Sequence, residues 1–242
     1  MTHHAQLDNV RHKDLRIRRE YRAGNGHDVH LTRAFPVVLI RLQAEYPLFF
    51  IRDSDSGNFE PVAMLGLADG ENLFLGNGRW EAGYVPLSIE RGPFLIGFQE
   101  RVEAGVPTRV PVVSIDLDDP RVNETDGEPM FLTHGGESAF LERMTSILMT
   151  IMQGHDANQG FSRLLVGLDL IESMRMEVEL QDGSKQALEG LYTINEDRLS
   201  ALNASGLEAL HQKGHLKHVY MMLASLSNVT GLIEKKNRLL LS

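Results

Sequence analysis

A chain of 242 residues, 42% hydrophobic and 24% charged, is long enough to bury a sizeable core and too apolar to be disordered throughout. Its formal net charge of −9 argues against a nucleic-acid partner, and the absence of cysteine excludes disulfides, thiolate metal sites and cysteine nucleophiles. No apolar run of about 18 residues occurs and no signal-peptide stretch opens the chain, so membrane insertion is not expected and the cytoplasm is the default location.

Residues 1–30 are polar. They hold the one dense basic stretch, Arg11, Lys13, Arg16, Arg18, Arg19 and Arg22, read here as a solvated N-terminal arm rather than a nucleic-acid site. A single α+β domain is expected over 31–242, β-rich over 46–132 and helix-rich over 137–242. Val37-Val38-Leu39-Ile40 favours a strand locally, while Pro36 followed by Leu39, Leu42 and Tyr46 favours a helix, the reading adopted here, and Pro47 ends it before the buried strand Leu48-Phe49-Phe50-Ile51. Asp53 to Asn58 is a turn. Short strands are expected at Val62–Leu67, Asn72–Leu75, Tyr84-Val85, Phe94–Phe98 and Val112–Leu117.

The second half changes character. Phe140, Leu141, Met144, Ile147, Leu148 and Ile151 have helical spacing, and Phe161, Leu164, Leu165, Leu168 and Ile171 repeat it in what reads as a second helix. Met176, Val178 and Leu180 alternate with charged residues, and Asp182-Gly183 turns the chain into Leu188–Tyr192, a β-hairpin. Thr193 with Glu196, and Ser205 with Glu208, have capping-box spacing. Leu216, Val219, Tyr220, Leu223 and Leu226 form a stripe suited to core packing or to a partner protein.

No phosphate loop, dinucleotide fingerprint or nucleophile elbow occurs. Trp80, Tyr84, Arg91 and Phe94 combine aromatic rings with a guanidinium, a composition suited to a planar or acidic ligand and equally to core packing around a snorkelling arginine. Asp53-x-Asp55 follows an apolar strand, where paired carboxylates can hold a hard divalent cation, and Asp116 ends a later strand; turn chemistry explains the same residues. No cofactor is indicated.

Several blocks in order, His12-Lys13-Asp14-Leu15-Arg16, Tyr46-Pro47-Leu48-Phe49-Phe50, Gly78-Arg79-Trp80, Tyr84-Val85-Pro86 and Arg91-Gly92-Pro93-Phe94, resemble the bacterial SapC family. Gly190-Leu191-Tyr192, Gly214-His215-Leu216 and Ala224-Ser225-Leu226-Ser227 resemble its closing part. Members often carry two basic residues before the Pro-Phe pair, where this chain has Glu90 and Arg91. The resemblance implies a link to a bacterial cell-surface, secretion or uptake system, with similar genes beside flavin-dependent halogenases and outer-membrane receptors. The expectation is therefore a non-catalytic accessory or ligand-binding protein. The alternatives are a metal-dependent oxygenase or hydrolase using Asp53, Asp55 and Asp116, or a partner subunit of a flavin-dependent halogenase-type enzyme docking through the C-terminal helices.

Overall fold

A computed structural model describes residues 3–103 and 106–241. Its strands are β1 (His4–Gln6), β2 (Arg16–Ile17), β3 (Leu31–Arg33), β4 (Leu48–Arg52), β5 (Phe59–Met64), β6 (Leu75–Gly76), β7 (Arg79–Trp80), β8 (Phe94–Glu103), β9 (Val106–Asp116), β10 (Val122–Asn123), β11 (Glu128–Pro129), β12 (Ile171–Glu179) and β13 (Lys185–Ile194). The α-helices are α1 (Leu39–Leu42), α2 (Leu87–Glu90), α3 (Ala139–Gly167), α4 (Glu196–Ser200), α5 (Ala204–Gln212), α6 (Leu216–Ser225) and α7 (Asn228–Leu240). The expected α+β class, with a β-rich first half and a helical second half around one hairpin, is what the structure has.

Two sheets organise two apolar clusters. The five-stranded sheet runs β12-β13-β4-β5-β3, with antiparallel pairing throughout. Leu48, Phe49 and Phe50 of β4 are fully buried, and this core takes in Phe161 and Leu165 of α3, Leu210 of α5, Val219 and Met222 of α6 and Leu232 of α7. Each such side chain contributes about 1.5–3 kcal/mol by leaving water. The smaller sheet, β1-β9-β8, supplies Phe94 and Ile115 to a second cluster with Leu141, Met144 and Leu148 of α3. Helix α3 therefore walls both cores, its first half against one and its last turns against the other.

Over residues 3–30 the structure departs from the expected solvated arm. β1 hydrogen-bonds along β9, β2 joins β10 and β11, and Ile17 and His27 are only 3% exposed. The basic stretch is occupied locally: Arg16 donates to the Gly127 carbonyl, Arg18 lies 3.3 Å from Asp126 and Arg22 lies 3.2 Å from Glu20.

The two helices expected over 140–171 are one. Ser138 caps α3, its Oγ accepting from the Leu141 N–H and donating to the Pro129 carbonyl. The polar middle from Gly154 to Gly160 stays helical because tertiary contacts hold it. Gly154 lies against Phe35 closely enough that a Cβ would come within 2.6 Å of the ring, and the Asn158 amide donates to the Ala34 carbonyl. Ile171 leaves the helix to open β12. Tyr84-Val85 is not a strand but the approach to α2, and Val37-Val38 form a 3-10 turn before α1. The expected capping boxes are replaced by Asn195, which accepts from the Arg198 N–H, and Asn203, which accepts from the Gly206 N–H.

The C-terminal helices are fastened to the large sheet by buried polar groups. The Ser225 hydroxyl accepts from the Leu48 N–H and donates to the Met222 carbonyl, and Asn237 accepts from the Gln181 N–H. Tyr220, expected in the packed stripe, is instead 55% exposed. Among the described residues no helix is long and apolar enough to cross a membrane.

Candidate functional site

The four residues singled out for ligand binding divide between core and surface. Trp80 on β7 donates its indole N–H to the Tyr46 hydroxyl at 2.7 Å and stacks on Phe74, with Tyr21 against its edge. Tyr46 is fully buried and donates to the Tyr84 carbonyl, and burial raises its phenol above the usual tyrosine value. Tyr84 lies under the Arg41 guanidinium; its own buried hydroxyl has no partner, and desolvation pushes it up to about 12. Phe94 is fully buried beside Phe140. Arg91 alone of the four lines a large groove.

The acidic candidates are spread apart. The Asp53 carboxylate accepts from the backbone N–H and hydroxyl of Ser56, bonds that hold it below the usual carboxylate value, and Asp55 accepts from Ser54 in the same exposed β4–β5 turn. Asp116 ends β9 in the other sheet, accepting from the Asp118 N–H and lying 3.8 Å from His4. Among the described residues no three His, Asp or Glu side chains gather as metal ligands, so Asp53, Asp55 and Asp116 do not share a centre.

A buried ionic cluster sits behind Arg91. Asp119 receives both arms of Arg121, at 2.8 and 2.6 Å, and both side chains are nearly buried. Arg121 Nη1 also lies 2.9 Å from His27 Nε2, while His27 Nδ1 accepts from the Arg22 N–H. Burial and the Arg121 charge bring His27 down to about 4, so the ring is neutral. The Arg91 guanidinium donates to the Phe94 carbonyl at 2.7 Å and, among the described residues, has no carboxylate within 4 Å. Burial and neighbouring Arg121 lower its pKa, while Asp119, already taken by Arg121, opposes them. Glu90 is bound by Arg143 of α3.

Two cavities adjoin along α3. One, of about 470 Å³, lies between Ile151 and Met152 of α3, Ile96 and Phe98 of β8, and Phe35, with Arg33, Ser88, Arg91 and His155 as its polar groups. The other, of about 530 Å³, lies between the β4–β5 turn and the helix from His155 to Val166. His155, packed edge-on against Phe35, borders both. Asn158 and Ser162 line the second cavity and are 5% and 4% exposed; Asn158 Oδ1 and the Ser162 hydroxyl have no hydrogen-bond partner. Buried polar atoms without partners cost about 1–3 kcal/mol each and are uncommon, which sets these two beside the cavity apart.

Sequence reasoning reached Arg91 and missed the helix-borne residues. His155-Asp156-Ala157-Asn158 reads as an interruption of the apolar repeat, and that interruption is the available signal: polar residues persist there on a face the fold buries. No curated protein and no solved structure matches the chain. A family model, SapC, matches residues 7–232. With nearly the whole length matched, the chain belongs to the SapC family.

Proposed function

We propose that this SapC-family chain is a non-catalytic, ligand-binding accessory protein of a bacterial cell-surface, secretion or uptake system, and that its ligand lies in the groove along α3. The observation that carries the binding reading is the pair of adjoining cavities sharing His155, with unpartnered Asn158 and Ser162 on the wall. Family membership supports the link to a surface or transport system. The groove's polar groups, Arg33, Ser88, Arg91 and His155, are suited to orienting a molecule by charge and hydrogen bonding. The same reading admits a protein partner at the C-terminal helices, where Tyr220 presents an exposed ring.

The test uses anilinonaphthalene sulfonate, an apolar anionic fluorophore. It is expected to bind the folded chain saturably, and Met152→Trp, which fills the groove from a half-exposed helix position, is expected to abolish the fluorescence rise without changing the circular dichroism spectrum. A titration that Met152→Trp leaves untouched would remove the groove as the site.

A further inference from the structure

We infer that the groove takes a long-chain monocarboxylic acid, with its carboxylate on Arg91 and its chain along Ile96, Ile151 and Met152. This rests on the ligand-binding reading above and adds the chemical class of the ligand. Three observations carry it.

The first is the charge state of the groove. Arg33 is neutralised by Glu60 at 2.8 Å, whereas Arg91, among the described residues, has only the Phe94 carbonyl as a hydrogen-bond partner. The carboxylate nearest in chemistry, Asp119, spends both oxygens on Arg121. A half-buried guanidinium without a counter-ion is costly, and one partly desolvated positive charge matches one negative charge. Its remaining N–H groups form a fork that fits a carboxylate. Arg109, 4.9 Å over the Phe98 ring, adds positive potential at the rim of a chain that is acidic overall.

The second is the rest of the lining. Apart from Arg33, Ser88, Arg91 and His155 the groove is built of aliphatic, aromatic and thioether side chains, and Phe98 is 54% exposed there. An apolar tail would cover this surface, and binding should strengthen about fourfold per added methylene while the chain still fits. The third is extent: His155 lines both this groove of about 470 Å³ and a second cavity of about 530 Å³ along the same helix, room on the scale of a long molecule.

The probes are decanoate, dodecanoate and tetradecanoate below their micelle concentrations, with dodecanol and dodecyltrimethylammonium as neutral and cationic counterparts, each displacing anilinonaphthalene sulfonate from the full chain. Dodecanoate is expected to displace the dye at least tenfold more effectively than dodecanol, with dodecyltrimethylammonium weakest and the acids improving with length. Arg91→Gln should weaken dodecanoate about ten- to a hundredfold and leave dodecanol unchanged, because only the charge-assisted bond is lost. Arg91→Lys should recover part of the difference. Equal displacement by dodecanol and dodecanoate, or an Arg91→Gln protein that still prefers the acid, overturns the carboxylate assignment while the groove survives. Dye binding that Met152→Trp does not disturb sinks the groove itself, and this assignment with it.

Discussion

At His27 each ring nitrogen meets a donor: the Arg22 N–H at Nδ1 and the Arg121 guanidinium at Nε2. A neutral imidazole has one acceptor nitrogen, so the ring satisfies one donor and tolerates the other, and a protonated ring would satisfy neither. The unfolded imidazole takes its proton near 6.5 and the folded one near 4, so between these values the unfolded chain binds more protons and acid favours unfolding. The urea midpoint should therefore hold above pH 6.5 and fall progressively towards pH 4. His218, also brought down to about 4 by burial, acts in the same window, so His27→Gln should flatten the slope without abolishing it. An unchanged slope in His27→Gln would show that this ring does not titrate as described. Nothing in the sequence around His27 announces this pairing, because Arg121 lies 94 positions away. Arg91 was legible for a different reason: it stands near Trp80, Tyr84 and Phe94 in the sequence, and aromatic rings with a guanidinium suit a planar or acidic ligand.

Helix α3 shows where periodicity works and where it stops. Its apolar residues on either side of Gly154 to Gly160 were readable as helix, and the hairpin β12–β13 was readable from alternation and Asp182-Gly183. The polar middle was not, since what holds it helical is contact with Phe35 and Ala34 from a distant segment. Asn195 and Asn203 likewise took the capping positions that Thr193 and Ser205 suggested by spacing, because an asparagine two residues away already had the extended backbone a cap needs. Gly154→Ala provides the test of close packing. In a free helix alanine would add about 1 kcal/mol of stability. Here the new methyl meets the Phe35 ring, and the expected result is a loss of about 1–3 kcal/mol by chemical denaturation, with weaker dye binding because Phe35 borders the groove. A stabilised Gly154→Ala protein would contradict the close approach.

For the whole molecule, the start of the chain is structural. Deleting residues 1–20 removes β1 from the edge of β9 and Ile17 from the second cluster, and should lower the melting temperature and speed amide exchange at Phe94 and Ile115. An unchanged melting temperature would return the segment to the role of an arm. Composition alone could not have revealed this, because the segment docks mainly through backbone pairing and a single buried isoleucine. Helix α3 carries the wider consequence. As one continuous rod shared by both apolar clusters, it leaves neither free to loosen while the other stays intact. A molecule lodged against its middle would stiffen the N-terminal strands and the C-terminal hairpin together, so that occupancy is felt at the far ends of the protein without any joint between its halves having to move.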